Sequence, residues 1–341
     1  MRNVSIKDVA RLAGVAVSTT SMALNNNKTI KESTRIRLQE VAKALGYIPN
    51  HAARSLLGRK TNSIGIVIPA MSNSVFLEEA FDVKNYASLR NYQTKIFIAG
   101  LNNPGEWDYL LSVVRGNVDG LICYPLFESE QHDSIQNCLK NYNIKYIYNK
   151  FTSEPGADWI SVNFEQGGFL ATDYLIRNGH RRIGFFTYHY PMGPERDDGA
   201  RRALETHKIS LDKCYFFTYD VKGDISEGYD VVKKNLALMN PPPTALFMRA
   251  DFLAIGALKA INDLGWKPGK DISVVGFDNI AQSEFTIPAL TTIGYDKKMK
   301  AKLLVDTLLK RIAGDESPAV NVLIEPELVE RESVHKIKQF Y

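Results

Sequence analysis

The chain has 341 residues, of which 45% are hydrophobic and 23% are charged, and this composition predicts a globular protein of two or three domains. It contains no apolar run of about 18 residues that would predict a membrane helix, and it begins without the basic and apolar pattern of an export signal. Its three cysteines form no CxxC pair. We therefore expect a cytoplasmic protein with no metal, no cofactor and no membrane partner.

Positive charge is concentrated at one end of the chain. Residues 1–60 contain eleven Lys and Arg and three acidic residues, a net charge of +8, whereas the remaining residues contain 31 basic and 35 acidic residues, a net charge of −4. A basic segment attached to a mildly acidic body is typical of a nucleic-acid-binding domain joined to a regulatory domain. A solvated basic surface that binds nothing is the alternative.

Three short helices are predicted within residues 5–45. Ser5 can cap the first helix, and Gly14 ends it. The second is predicted from about 17 to 25 and the third from about 32 to 44. This succession forms the helix-turn-helix arrangement, whose second helix enters the major groove of DNA. A three-helix interaction domain that binds no DNA is the alternative.

The second helix carries the side chains that we expect to meet DNA. Hydroxyl groups suit contacts with phosphates and bases, whereas Val and Met can pack on thymine methyl groups. The expected contacts on this helix and at its end are Val17, Ser18, Thr19, Ser21, Met22 and Asn25. Ser5 and Tyr47, which flank these helices, belong to the same predicted DNA-binding set.

A further short helix is predicted over residues 50–58. Asn50 can cap it and Gly58 ends it, and nine residues are too few for a helix that is stable alone in water. We predict that residues 50–62 form a short helix and linker that follow the domain of residues 1–49.

From residue 61 onward, short apolar runs alternate with helical patterns. The runs predicted as strands cover about 64–68, 94–98, 120–123, 146–148, 182–186, 245–247, 272–277 and 320–324. This alternation predicts an α/β core of two doubly wound parallel-sheet subdomains, with a ligand cleft beyond the carboxyl ends of the strands. Neither GxGxxG after the first strand nor GxxxxGK followed by Ser or Thr occurs, so a nucleotide-dependent enzyme has no support.

Polar and aromatic residues that follow these strands are the candidates for binding a small effector. They are Asn73, Phe76, Asn149, Asn163, Arg196, Asp251 and Asp278. An Arg with Asp and Asn partners supplies the donors and acceptors that sugar hydroxyls need. The alternatives are structural roles, in which Asp251 caps its helix and Asp278 holds a loop. For Arg196, the alternative is an internal pair with Asp197 or Asp198.

Several motifs of the first fifty residues are specific. They are Ser5-Ile6-Lys7-Asp8-Val9-Ala10, Ala13-Gly14-Val15, Thr19-Thr20-Ser21, Leu24-Asn25 and Gly46-Tyr47-Ile48-Pro49-Asn50. Together they resemble the head of the lactose/galactose-repressor family of bacterial transcription regulators, and the similarity continues through essentially the whole chain. The resemblance implies a periplasmic-binding-protein-like core, in which residues 196 and 251 occupy positions that commonly touch the effector.

The resemblance also implies a homodimer on double-stranded, pseudo-palindromic operator DNA. The two hinge helices would pair in the minor groove, where Leu56 is the wedge that kinks the duplex and Ala53 allows the close approach. A plain linker helix with Leu56 buried against the body is the alternative.

Two positions depart from the family pattern. The family usually has Ser where this chain has Ala16, and Arg where it has Met22. An Arg bound to guanine contributes about 1–3 kcal/mol of discrimination between bases. We therefore expect the operator to differ from the family's at the base pair that Met22 meets, with an apolar or thymine-methyl contact there.

The sequence thus predicts a helix-turn-helix domain, a hinge and an effector-binding, dimerising core, over residues 1–49, 50–62 and 63–341. The two core subdomains are expected to hold residues 63–162 with 292–322, and 163–291 with 323–341. We interpret the chain as a sequence-specific DNA-binding repressor of carbohydrate-use genes, with no catalytic residues, whose operator affinity is set by a small molecule, a sugar, in the cleft. The rivals are a sugar-binding protein of a transport system and a hydrolase or dehydrogenase.

Overall fold

The computed structural model describes residues 4–24, 27–47, 61–68, 73–98, 110, 112–114, 117–123, 139, 144–188, 195–211, 215–219 and 224–337. The chain divides into two compact units, Met1–Thr61 and Asn62–Tyr341, and each is described by itself. The predicted hinge helix over residues 50–58 lies outside the described residues.

The first unit contains the three predicted helices, α1 (Ile6–Ala13), α2 (Val17–Leu24) and α3 (Glu32–Ala44). The carboxylate of Asp8 accepts hydrogen bonds from the Ser5 N–H at 2.9 Å and from the Ser5 hydroxyl at 2.6 Å, which fixes the start of α1. Gly14 ends α1 at φ 65°, a left-handed conformation that glycine adopts without steric cost. The helices enclose a small core of Val9, Ala13, Ala23, Leu38 and Ala42.

The second unit contains two six-stranded sheets. The first sheet consists of β1 (Ser63–Ile68), β2 (Gln93–Ile98), β3 (Gly120–Cys123), β4 (Lys145–Tyr148), β5 (Trp159–Val162) and β11 (Asn321–Ile324), in the order β11-β5-β4-β3-β1-β2. The second consists of β6 (Ile183–Tyr188), β7 (Tyr215–Tyr219), β8 (Ala245–Met248), β9 (Ser273–Phe277), β10 (Thr291–Gly294) and β12 (Glu327–Val329), in the order β12-β10-β9-β8-β6-β7. Only β12 runs antiparallel to its neighbour among these strands, so the predicted parallel α/β fold is confirmed.

Helices cover both sheets. They are α4 (Ser74–Leu89), α5 (Phe164–Arg177), α6 (Glu195–Thr206), α7 (Ile225–Leu236), α8 (Asp251–Asp263) and α9 (Lys297–Ile312). Helices α4 and α9 pack on the first sheet around Ile64 and Ile122. On the second sheet, Phe185 packs with α5 and α6, whereas the next residue, Phe186, packs with α7 and α8. Since neighbouring side chains of a strand point to opposite faces, the two helix pairs lie on opposite faces of this sheet.

The first sheet with α4 and α9 is called the first subdomain, and the second sheet with α5 to α8 the second subdomain. The chain crosses between them three times, after β5, β10 and β11. Strand β10 pairs with β9 in the second sheet, and all of β11 pairs with β5 in the first. The predicted boundaries at 292 and 323 therefore fall slightly early, because the chain returns to the first subdomain after Gly294 and leaves it after Ile324.

Candidate functional site

Residues at the carboxyl ends of strands from both sheets meet in the second unit. Lys150 follows β4 of the first sheet, and its Nζ lies 5.6 Å from the centroid of the Phe164 ring, at the start of α5 in the second subdomain. Glu195 and Arg196 at the start of α6, and Arg249 after β8, are close enough to Lys150 for their charges to act on its ammonium group. The two subdomains thus place charged side chains in a common site, which we call the cleft site.

Arg196 lies over two neighbouring aromatic rings of the cleft site. Its guanidinium carbon lies 4.1 Å from the centroids of both Phe164 and Phe277, and its Nη2 lies 3.5 Å from Oδ1 of Asp278. Asp197 pairs instead with the buried Arg249, at 3.0 Å. Arg196 and Asp278, two of the predicted effector residues, therefore lie together, and the two rings hold the cation as well as the opposite charge.

Burial shifts the pKa values of two ionisable groups in the cleft site toward neutrality. Removal from water raises the pKa of Asp278 to about 7, although the charge of Arg196 opposes the shift. Removal from water lowers the pKa of Lys150 to about 8; Glu195 opposes this shift, whereas the nearby cations Arg196, Arg249 and Lys300 add to it. Groups that titrate near pH 7 in a buried site are typical of functional sites.

Asn149 provides a hydrogen-bond acceptor beside Lys150. Its amide Nδ2 donates to Oε2 of Glu79 at 2.8 Å, and Oε1 of the same carboxylate accepts from Lys300 Nζ at 2.6 Å and from the Tyr295 hydroxyl at 2.8 Å. This orients the Asn149 amide, whose Oδ1 is buried and has no hydrogen-bond partner within the described residues. A buried acceptor left in this way favours a ligand that donates a hydrogen bond.

Four other predicted effector residues have partners or packing within the protein. Asn73 caps α4 by accepting from the Val75 N–H, and Phe76 packs against the core of the first subdomain. Asn163 caps α5, and its Nδ2 donates to Oε1 of Glu325 at 3.1 Å. Asn163 lies at the first crossing and Glu325 at the last, so this hydrogen bond joins two of the three connections between the subdomains.

Asp251 is the fourth of these residues and is completely buried. Oδ2 accepts from the Ile280 N–H at 2.9 Å and from the Ser283 hydroxyl at 2.7 Å, and Oδ1 accepts from the Thr292 hydroxyl at 2.5 Å. It begins α8 without capping it, since the N-cap is Ala250. Burial raises the pKa of Asp251 to about 6, an effect that these three hydrogen bonds oppose.

Three charged residues of the cleft site were missed in the sequence, namely Lys150, Glu195 and Arg249. Each one neighbours a position that the sequence did single out or follows a predicted strand closely. A charged residue immediately beyond the carboxyl end of a parallel strand is therefore the signal that could have identified Lys150 and Arg249. Charged side chains are otherwise expected on the surface unless they are paired.

In the first unit, α2 presents most of its predicted DNA-contacting side chains away from the core. Val17 is 42% exposed and Ser18 is exposed, whereas Thr20 and Ala23 are buried. The remaining predicted contacts of α2 are half-buried: Thr19, Ser21 and Met22. This helix contains no charged side chain, so any base reading by it depends on hydroxyl and apolar contacts.

The other predicted DNA contacts of this unit have mixed positions. Ser5 is occupied in the cap of α1, and Tyr47 packs against the small core. The remaining predicted contacts lie outside the described residues, namely Asn25, Asn50, Ala53 and Leu56.

Comparison with known proteins matches both units. The family model of bacterial regulatory proteins, lacI family, matches residues 5–50, and that of a periplasmic binding protein-like domain matches residues 172–334. The HTH-type transcriptional repressor PurR of Aliivibrio salmonicida is 34% identical, over 98% of this chain and 99% of that protein. The chain belongs to the lacI family. PurR of Vibrio vulnificus, 32% identical over 98% of this chain and 99% of its own length, is another relative within the lacI family.

Solved structures of lacI-family proteins share this fold. The Lac repressor dimer bound to operator and the anti-inducer ONPF has a TM-score of 0.83 at 25% identity, over 98% of this chain and 100% of that chain. A LacI family regulator from Enterococcus faecium with bound ribose has a TM-score of 0.72 at 25% identity, over 81% of this chain and 100% of that one. The CelR–cellobiose complex, at 24% identity and a TM-score of 0.70, supports the fold alone.

Membership of the lacI family confirms the main interpretation of the sequence. The protein is a DNA-binding transcription regulator with an effector-binding core, and a role in transport is not favoured, since its relatives are repressors. No helix in the described part of the chain is long and apolar enough to span a membrane. Within the same residues, no group of three or more His, Cys, Asp or Glu side chains could hold a metal ion.

Proposed function

We propose that this protein represses carbohydrate-use genes as a homodimer bound to a pseudo-palindromic operator, and that a sugar in the cleft site sets its operator affinity. The observation that carries the effector part is the buried Oδ1 of Asn149, an acceptor whose amide is oriented by Glu79. The buried Oε2 of Glu195, across the cleft, is a second acceptor with no partner among the described residues.

Sugar hydroxyls match this pair of acceptors because each hydroxyl both donates and accepts hydrogen bonds. The cleft site also supplies donors through Lys150, Arg196 and Arg249, which can bind the oxygen atoms of the same hydroxyls. The related LacI family regulator from Enterococcus faecium has bound ribose, which agrees with a sugar ligand.

Control of DNA binding would follow from the two-subdomain architecture. A ligand that contacts both subdomains favours one angle between them, and coupling energies in such systems are about 1–3 kcal/mol. In the proposed complex, Leu56 wedges a base step of the minor groove, Ala53 allows the hinge helices to approach and Asn50 caps them. Such a protein works in the cytoplasm, on the nucleoid when bound to DNA, and has no enzymatic role.

A thermal-shift screen of pentoses, hexoses and disaccharides, followed by operator binding, tests this function. We expect one class of sugar to raise the melting temperature of the wild type, since a ligand that binds the native state stabilises it by mass action. Asn149→Leu should reduce that ligand-induced shift relative to its own ligand-free protein. Asn262→Leu, the same change at an exposed position of α8, should leave it unchanged.

Operator binding is measured by fluorescence anisotropy on the promoter of the protein's own gene. We expect the affinity to fall steeply with salt, because phosphate contacts release counterions, and to change when the sugar is added. Sugar binding without salt-dependent binding to any palindromic DNA would return the transport protein as the better interpretation.

A further inference from the structure

A short segment after β9 contacts both subdomains. It comprises residues 278–283 and is called the relay segment. Asp278 has φ 104° and Asn279 has φ 45°, so the backbone turns sharply through two positive-φ residues where β9 ends. The side chain of Asp278 faces Arg196 in the cleft site, at 3.5 Å. The residues that follow carry the contacts to the first subdomain.

The first subdomain holds the relay segment through its backbone. Oε1 of Glu78 in α4 accepts from the Ala281 N–H at 2.9 Å, and Nζ of Lys297 in α9 donates to the Asn279 carbonyl at 2.9 Å. Glu78 and Lys297 also bind each other, at 2.6 Å. The Glu78–Lys297 ion pair of the first subdomain thus binds the peptide groups on both sides of Ile280. Ile280 itself belongs to the second subdomain.

Asp251 holds the same segment from within the second subdomain. Its Oδ2 accepts hydrogen bonds from the Ile280 N–H and the Ser283 hydroxyl. Ile280, whose two flanking peptide groups are bound by the Glu78–Lys297 ion pair, is therefore also fixed by a buried carboxylate. Its Oδ1 accepts from the Thr292 hydroxyl of β10. Both oxygens therefore serve contacts within the protein. The relay segment is therefore held from both subdomains over three consecutive residues, so a displacement of Asp278 changes the geometry of these hydrogen bonds.

We propose that Asp251 is a positioning residue that holds the relay segment in place. Through this segment, a change at Asp278 in the cleft site reaches Glu78 and Lys297 of the first subdomain. This role replaces direct effector binding by Asp251. The proposal deepens the proposed function, because it names the route by which an occupied cleft site alters the contact between the subdomains. That effect of an occupied site rests on the proposed function.

Hydrogen exchange followed by mass spectrometry or NMR on the full chain, without effector or DNA, tests the role of Asp251. Asp251→Asn places a donor where acceptors are needed, and we expect faster exchange of the Ile280 and Ala281 amides, by about tenfold or more. Glu78→Gln should accelerate Ala281 alone. Asp306→Asn is the matched control: Asp306 pairs with Arg90 at 2.9 Å and also joins α4 to α9, but it does not contact the relay segment.

The relay itself is tested by changing only its cleft end. Asp278→Asn, which replaces the carboxyl group facing Arg196 by an amide, should accelerate exchange of Ala281, whereas the control should not. Ser283→Ala, a milder change than Asp251→Asn, should accelerate Ile280 exchange even if the aspartate variant does not fold. Unchanged Ala281 exchange in Asp278→Asn, or unchanged Ile280 exchange in Ser283→Ala, would overturn the proposal. Since no ligand is used, this outcome is independent of whether a sugar binds.

Discussion

Arg196 shows how a single side chain in the cleft site is fixed by more than its charge. Its guanidinium lies over the Phe164 and Phe277 rings and faces Asp278, so the two rings and the carboxylate together restrict its orientation. A lysine at this position would keep the charge but lose the planar stack and the fork of donors. Orientation of this kind suits a site that must distinguish ligands by the placement of their hydroxyls.

The buried carboxyl group of Asp278 should give the stability of the core a measurable pH dependence. Its pKa is about 7 in the folded protein, above the ordinary value of about 4, so its stabilising contribution is complete below pH 4 and is lost as the pH rises through 7. We expect Asp278→Asn to flatten the fall in unfolding free energy between pH 5 and 7, by up to about 1 kcal/mol per pH unit. Urea unfolding at each pH measures this.

Asp263→Asn is a control for this pH dependence. Hydrogen bonds from Lys259 and Tyr229 lower the pKa of Asp263, so its carboxyl group is ionised throughout the pH range tested. Its profile should run parallel to that of the wild type. If the profile of Asp278→Asn also runs parallel, the Asp278 carboxyl group titrates below pH 5 and its pKa is not raised to about 7. The Asp278→Asn variant should keep the turn at the end of β9, because Asn tolerates positive φ better than most residues.

Met22 gives a prediction about DNA specificity. If this side chain meets a thymine methyl group, Met22→Arg should shift the preference at one base pair of each half-site toward guanine, by about 1–3 kcal/mol. Selection from a randomised operator library, read by sequencing, measures the preference at every position. Met22→Leu keeps an apolar side chain and should retain the wild-type base. A wild type that already selects guanine there contradicts the expected apolar contact.

At the scale of elements, α5 and α6 pack backbone to backbone. A Cβ atom at Gly168 would lie 2.0 Å from the Arg196 carbonyl oxygen, and one at Gly199 would lie 1.8 Å from the Glu165 carbonyl oxygen. Helices α7 and α8 repeat the arrangement, since a Cβ atom at Gly256 would lie 2.2 Å from the Ile225 carbonyl oxygen. In each pair the absence of a side chain allows the close approach.

This packing predicts that a Gly→Ala change lowers stability in both helix pairs but affects sugar binding in only one of them. Gly168→Ala and Gly256→Ala should each lower the melting temperature, because both helices must separate, at a cost of about 1–3 kcal/mol. Only Gly168 contacts the backbone of Arg196, so only Gly168→Ala should also weaken sugar binding, measured by calorimetry below the melting transition. Equal losses of sugar affinity in both variants would show that the effect is one of stability alone.

The elements differ in how far the sequence predicts them. Long apolar runs such as β1 and β9 were predicted closely, whereas β5, β7, β10 and β12 were missed. Strand β5 has four residues and includes Ser161, and it is completed by pairing with β11, about 160 positions later in the chain. The same reason applies to Asp251, since its partners in the relay segment and β10 come from the fold rather than from local sequence. The sequence did single out Arg196 and Asp278 as candidates because each lies beyond the end of a predicted strand, but their contact with each other comes from the fold.

At the scale of the whole molecule, the two units should respond separately to mutation. Leu38 is completely buried in the small core of the first unit, where Leu→Ala changes cost about 2–5 kcal/mol, comparable to the whole stability of a domain of this size. We expect Leu38→Ala to abolish operator binding while the sugar-induced thermal shift of the second unit is retained. Leu12→Ala, at a 64% exposed position of α1, is the control.

The result would be read by differential scanning calorimetry and operator anisotropy on the same samples. Loss of both DNA binding and the sugar-induced shift in Leu38→Ala would show that the units depend on each other for folding. That outcome would contradict their separation into Met1–Thr61 and Asn62–Tyr341.

The three crossings have a consequence for how the protein is made. The edge strand β11, residues Asn321–Ile324, completes the first sheet, and β12, residues Glu327–Val329, completes the second. On the ribosome, neither sheet can gain its last strand until nearly the whole chain has been synthesised, although β1 emerges early. A chain stopped within α9 would lack the edge strands of both sheets and expose unpaired backbone. Translation past Ile324 is therefore a condition for completing the first sheet, and translation past Val329 is a condition for completing the second.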